Sequence, residues 1–496
     1  MKKHIVKLTA LLLAVSCSVC AVNIPKTVNA KSTKASVKNK EMVLLAGKTR
    51  KIKIKNKLAG AKYTFRSSDK TVAKVNKNGV VKGIDMGLAK ITVKQIKNGK
   101  KTKVGNVKVT VTKLISVDNN KNFADSTASF SVDLFRKTCL EDIKNGKNTL
   151  ISPESVICAL MMLDEGCKGE TYDELTKALA GSMSYTDYRD VLGVFNKKLT
   201  SSKDVKFHLA NSVWVRDDAK YITLDDKFVS SVKKYFDAGI FTREFDDKTK
   251  DEINGWVSDN TDGMIPKIIE NINKDTAAML INALCFEGKW AEQYSDYDIM
   301  KDDFTNAEGK KEKANMLCGS ENSYVSDDNA VGFIKSYEGG EYRFMAILPD
   351  ENVGVEEYVK NLTGEKFLDL YNNATHEKVI TKMPEFSYDY DAELKDPLTN
   401  MGINKAFDPF GADLTGMGST GFDNLYVDNV IHKTHIELDK NGTKAAAATA
   451  VIVNVATSVG PTEPPKEVYL DRPFIYAIVE AETGLPVFIG AVNSVK

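Results

Sequence analysis

The stretch Gly442-Thr443-Lys444-Ala445-Ala446-Ala447-Ala448-Thr449, followed by twelve uncharged residues from Ala450 to Pro461, constrains this 496-residue chain more than any other feature. Alanine favours helix, but the β-branched run Val451-Ile452-Val453 favours an extended strand. The flanks, closed by Pro464-Pro465, read as a loop. The segment is small and apolar enough to enter a β-sheet, yet it stands in a connection.

Length argues for more than one domain. Residues 1–30 have the layout of an export signal: Lys2, Lys3 and Lys7 at the start, an apolar core from Leu8 to Ala21, and Val28-Asn29-Ala30 before a cleavage point. That core is too short to cross a bilayer, and Ala14-Val15-Ser16-Cys17 is a poor lipidation motif. Export, cleavage and an extracellular location, free or associated with a cell wall, are expected, with no membrane span. Five cysteines remain after the signal, at 139, 158, 167, 285 and 318. The number is odd and no spacing resembles a zinc site or a CxxC pair. Cys158 and Cys285 lie in apolar runs, where cysteine behaves as a small hydrophobe.

The net charge of +2 hides a division. Residues 31–113 carry 24 bases and three acids, a net +21; beyond them stand 41 bases and 64 acids, a net −23. Two modules with different partners are expected. In the basic one, Lys51-Ile52-Lys53-Ile54-Lys55 and Val107-Lys108-Val109-Thr110-Val111 alternate with period two, and Asn78-Gly79 and Asn98-Gly99 are turn signals. Phe65-Arg66-Ser67-Ser68-Asp69, Val72-Ala73-Lys74-Val75 and Gly87-Leu88-Ala89-Lys90-Ile91-Thr92-Val93 resemble a bacterial Ig-like group 2 domain, an all-β sandwich over 31–113. Its lysines suit either a solvated face or an anionic cell-envelope polymer. Nucleic acid is a poor fit, because aromatic residues do not interleave with the charge. Residues 114–121 are expected as a linker.

From 122 to 496 the pattern is α+β. Phe123 to Leu134 and Leu224 to Tyr235 have helical spacing, Ala277 to Phe286 reads as a strand, and Ser152 caps a helix that begins at Pro153. Ordered blocks resemble the serpin family: Leu150-Ile151-Ser152-Pro153-Glu154-Ser155, Ile253-Asn254-Gly255-Trp256-Val257, the strand Leu280 to Phe286 running into Glu287-Gly288-Lys289-Trp290, Met383-Pro384-Glu385-Phe386, and Val468-Tyr469-Leu470-Asp471-Arg472-Pro473-Phe474-Ile475-Tyr476. The resemblance implies a large central β-sheet, surrounding helices, and a reactive-centre loop at about 442–472.

It implies a mechanism too. A serine protease attacks the loop, and after acylation the loop inserts as a strand, trapping the covalent complex. Gly442, Thr443, Lys444, Ala445, Ala446, Ala447, Ala448 and Thr449 become the hinge, with Thr443, Ala445, Ala447, Thr449, Val451 and Val453 facing inward. Family spacing places the reactive bond at Ala456-Thr457, with Val455 and Val459 as alternative positions because the loop's distal half is about six residues longer than the commonest form. With no Lys or Arg between Ala445 and Pro465, an elastase-like target fits and a trypsin-like one does not. Ser152, Ser155, Asn282 and His432 are implied to hold the sheet shut, and Trp290 to stand where the loop enters. Where relatives carry Glu near the hinge, this chain has Lys440 and Lys444.

Competing classes fare worse. No GxSxG, HExxH or Walker pattern occurs, and His432 with His435 lacks the carboxylate spacing of a metal site. No enzyme activity, metal or cofactor is expected, and the chain is expected to be monomeric. A non-inhibitory relative acting as a surface-binding or structural protein is the alternative.

Overall fold

The computed structural model describes residues 34–113, 116–422, 424–443 and 464–496. The export signal falls outside them. Strands between Ser36 and Thr112 form a first unit. Glu41–Leu45, Lys100–Thr112, Gly87–Lys97 and Lys62–Ser67 make a four-stranded sheet in that order, and Thr49–Lys51, Val80–Gly83 and Ala73–Val75 a three-stranded one. Ile91, Val93, Val107, Val109 and Val111 pack with Val72 and Val81 in a core of their own. Asn98 and Gly99 take φ of 49° and 75°, the two left-handed residues of a tight hairpin joining Lys97 to Lys100.

The alternating segment 51–55 is not one strand. Lys51 pairs with Val80, while Ile54 pairs with Val37 in a separate two-stranded sheet. Between them Ile52 turns into the core and donates its N–H to Gly79 O at 2.9 Å. The segment crosses between sheets, a departure that period-two spacing does not reveal.

The expected linker is mostly helix. Helix α1 (Val117–Lys144) begins directly after its cap Ser116, whose side chain accepts from Asn119 N. The first unit therefore sits close to the second and is tied to it by ions. Lys108 Nζ lies 2.8 Å from Asp237, and Lys113 Nζ bridges Asp190 at 2.6 Å and Asp85 at 3.0 Å. Lys234 meets Asp85 at 3.1 Å. Burial pushes the Asp85 carboxyl up, but the two ammonium groups outweigh it and hold it at about 2.

In the second unit, helix α2 (Pro153–Asp164) is almost wholly buried, and helix α3 is Tyr185–Leu199. Strand β1 (Val205–Arg216), helix α4 (Asp226–Phe236), strand β2 (Gly239–Arg243), helix α5 (Asp247–Asn260) and strand β3 (Ala278–Lys289) follow. After two further sheets come β4 (Phe386–Glu393), β5 (Ile431–Asp439) and the two-residue β6 (Gly442–Thr443). The main sheet has the order β2-β1-β3-β6-β5-β4. Both faces are covered, which is why β3 reads as a near-continuous apolar run. Leu284 and Phe286 face the core that holds α2, whereas Ile281, Ala283 and Cys285 pack with Ile253 and Val257 of α5.

A second six-stranded sheet contains Phe474–Glu480 and Pro486–Val492, and a four-stranded sheet contains Val379–Pro384 and Lys466–Tyr469. The described part of β6 ends at Thr443, and the chain is next described at Pro464, just before a strand of this other sheet. No described helix is long and apolar enough to cross a membrane.

Candidate functional site: a divided main sheet

At one end of the β3/β5 boundary the chain turns back on itself. Asp439 Oδ1 accepts from Asn441 N at 2.8 Å and Gly442 N at 3.1 Å, which closes the turn. Gly442 has φ +154°, and a Cβ there would lie 2.1 Å from Gly288 O, so only glycine fits. Gly442 pairs with Lys289 on one side and Asp439 on the other, and Thr443 with Gly288 and Leu438. Thr443 is 3% exposed, its Oγ1 2.7 Å from Tyr337 Oη.

Trp290 braces this end. Its Nε1 donates to Asp439 O at 3.0 Å, its backbone N to Asn441 O at 2.9 Å, and its ring stacks on Tyr337 with centroids 4.6 Å apart. Lys440 donates from its backbone N to Glu385 at 3.3 Å and pairs its ammonium with Asp296. The cation at this position thus has a carboxylate partner on the segment after Trp290.

Beyond Thr443 the strands described in this part of the sheet are β3 and β5. Among the described residues, β3 and β5 pair with β6 and not with each other. The gap is lined by Leu284, Phe286, Thr434 and Ile436, with Met264 and Ile265 over it. A cavity of about 720 Å³, which shares Ile265, Leu284 and Thr434 with that lining, is bordered by Ser152, Ser155, Asn282 and His432 and bounded by Ile268. Asn254 of α5 fixes that covering segment: its Oδ1 accepts from Ile268 N at 2.9 Å and Ile269 N at 3.0 Å.

The polar groups at this far end are unevenly satisfied. Ser152 N donates to His432 Nε2 at 3.0 Å, Ser152 Oγ to Val487 O at 2.9 Å, and Ser155 N to Ser152 Oγ at 3.4 Å. Burial holds the His432 imidazole down at about 4, so it is neutral and its Nε2 is an acceptor. Asn282 Nδ2 donates to Asn211 Oδ1 at 2.8 Å, and Asn211 Nδ2 to Phe236 O at 2.9 Å. The Asn282 Oδ1 is buried without a hydrogen-bond partner among the described residues.

Of the residues singled out from sequence, Ser152, Ser155 and His432 share one hydrogen-bonded cluster, and Asn282 lines the same cavity but bonds to Asn211. Trp290, Gly442 and Thr443 lie together at the other end. Lys444, Ala445, Ala446, Ala447, Ala448 and Thr449 of the hinge, and Ala456 and Thr457 of the reactive bond, fall outside the described residues. Tyr337, Asn211, Thr434 and Asp296 belong to the site and carry no local motif. Thr434 Oγ1 donates to Leu150 O at 2.8 Å. His435, one residue further along β5, finds a carboxylate after all, with Nδ1 2.7 Å from Asp389 across the β4/β5 pair.

The family profile described as Serpin (serine protease inhibitor) matches residues 125–495. A leukocyte elastase inhibitor of Xenopus laevis is 29% identical over 389 residues, covering 75% of this chain and all of that protein. Iripin-1 of Ixodes ricinus is 30% identical over 359 residues, covering 70% of this chain and 89% of its own. The crystal structure of a thermophilic serpin, tengpin, in the native state superposes with a TM-score of 0.71 at 38% identity, covering 77% of this chain and 96% of tengpin. The extent of the profile match and the shared architecture place the chain in the serpin family.

Proposed function

We propose that this serpin is an exported suicide inhibitor of serine endopeptidases with elastase-like preference. The protease serine attacks the carbonyl carbon of Ala456, the Ala456–Thr457 bond breaks, and the loop remains esterified to the enzyme. The freed segment then enters the main sheet and carries the acyl-enzyme with it before water completes hydrolysis. The inhibitor is consumed once and turns nothing over.

The observation that carries this reading is the rung at Thr443. β6 is already antiparallel to both β3 and β5, so it sets the register of any continuation. Each further loop residue moves one rung along both strands. Ala445 falls between Phe286 and Ile436, Ala447 between Leu284 and Thr434, and Thr449 between Asn282 and His432, all on the face of Thr443. Small side chains meet the widest neighbours, and a hydroxyl meets the Asn282 Oδ1, which has no partner among the described residues. Lys444 falls on the opposite face between Glu287 and Glu437, so its charge suits the inserted strand. Insertion gains on the order of 10 kcal/mol from backbone hydrogen bonds alone, and the uncleaved state is held kinetically.

The absence of bases between Ala445 and Pro465 favours an apolar specificity pocket in the target. The basic first unit, with its exposed lysines, is an Ig-like module suited to an anionic wall polymer. Incubation with an elastase-type protease tests the inhibitory reading: a complex that survives SDS is expected, whereas clean cleavage without complex overturns it.

A further inference from the structure

We infer that His208, Asp262 and Cys285 form a transition-metal site of the zinc class on the outer face of the main sheet, with one coordination position left for water or an outside ligand. Their ligand atoms all lie within 4.8 Å of one another. The three residues are distant in sequence, so ligand spacing along the chain gives no sign of them.

Topology makes the site. His208 of β1 and Cys285 of β3 are directly opposite in the antiparallel ladder, so their side chains leave the sheet on the same side. Phe207 and Phe286 face the inner core, which fixes that side as the one covered by α5. Asp262 arrives from the turn that ends α5, where its φ of +51° departs from the helix. Its Oδ2 stands 3.9 Å from the Cys285 sulfur.

The donor set selects the ion. Imidazole nitrogen, thiolate sulfur and carboxylate oxygen together suit zinc and its neighbours, whereas calcium and magnesium require oxygen. In a tetrahedral site with bonds of about 2.0–2.3 Å, adjacent ligand atoms are about 3.5 Å apart. The cluster therefore closes by up to about 1.3 Å around an ion, and the His208 ring and Asp262 carboxylate that must move are exposed. Cys285 is buried and supplies the fixed point.

A second observation marks this as a cation position. The Lys206 ammonium sits on Asp262 and lies 3.5 Å from Glu287, the next outward residue on β3. An incoming dication displaces that ammonium from Asp262 towards Glu287, and the Cys285 proton passes to solvent as the thiolate forms. The ion then joins β1, β3 and the exit turn of α5. Met264 and Ile265, just beyond Asp262, cover the β3/β5 gap, so the metal braces the cover of that gap.

Titration of the full chain with cobalt(II) tests the site, because cobalt–thiolate coordination gives a charge-transfer band. One equivalent is expected to bind with that band, and zinc is expected to displace it and raise the Tm of the uncleaved protein. His208→Ala, at an exposed position, is expected to weaken binding by at least ~10-fold; Cys285→Ser is expected to abolish the band, and Cys318→Ser to leave it intact. A band that persists unchanged in a folded His208→Ala protein, or that is lost with Cys318→Ser, overturns the assignment, as does absence of stoichiometric binding.

Discussion

The two ends of the β3/β5 boundary are built from similar polar residues in opposite states. At the Trp290 end, Thr443 has Tyr337, Lys440 has Asp296, and the indole N–H has Asp439 O. At the Ser152 end, His432 is neutral and, among the described residues, Asn282 Oδ1 lacks a partner and the strands on either side do not pair with each other. The first end is already in the form that an inserted strand needs; the second holds hydrogen-bonding capacity that such a strand would use. Under the proposed mechanism the contrast gives insertion a direction, from Thr443 towards His432.

Cutting the loop should erase the contrast. With on the order of 10 kcal/mol gained, the Tm of the cleaved protein should rise by ~20 °C or more in calorimetry. An unchanged melting point would mean that cleavage adds no strand between β3 and β5.

Blocking the first rung should preserve the contrast. Thr443→Arg places a charge where the side chain is 3% exposed, at a cost of several kcal/mol. The variant should be cleaved as a substrate, with SDS-stable complex reduced by at least ~100-fold. Continued trapping would show that insertion does not pass through Thr443.

The histidine end should respond to pH. The His432 pKa is about 4 in the folded protein against an ordinary 6.5, so the native state binds fewer protons between those values and loses stability as pH falls from 6.5 towards 4. Burial also holds Glu154 up at about 8, which acts in the reverse sense, with stability lost as pH rises from 4.5 through 8. Comparison with His432→Gln, which keeps an acceptor for Ser152 N, removes that common term. The difference in unfolding free energy between the two proteins should change by on the order of 3 kcal/mol from pH 7 to pH 4. Parallel profiles would contradict a buried neutral imidazole.

The smallest effect concerns the outer face. Lys444→Glu sets a carboxylate between Glu287 and Glu437 in the inserted state and should reduce the stability of the cleaved form by ~1 kcal/mol. Glu287→Gln and Glu437→Gln should each relieve part of that loss in chemical denaturation; no relief would place the loop in another register.

The parts of this account legible in the sequence are those with local causes. Ser152 before Pro153 marks a helix start because a hydroxyl must meet the free N–H groups there, and Asn98-Gly99 marks a hairpin because both residues tolerate positive φ. The proposed hinge rests on the rule that burial tolerates only small, uncharged inward side chains, and of its residues Gly442 and Thr443 are described. The Asn282–Asn211 bond, the Tyr337–Thr443 bond and the Lys440–Asp296 pair arise when distant segments meet, and nothing near any of these residues signals its partner. Lys51 to Lys55 shows the opposite failure: its alternation is real, but a chain crossing between two sheets keeps the same alternation as one strand.

A crystal structure of the loop-cleaved protein tests the register most directly. A complete strand is expected between β3 and β5, with Thr449 between Asn282 and His432 and its hydroxyl hydrogen-bonded to one of them. A cleaved structure with β3 and β5 paired to each other, or with Thr449 one rung away, would contradict it.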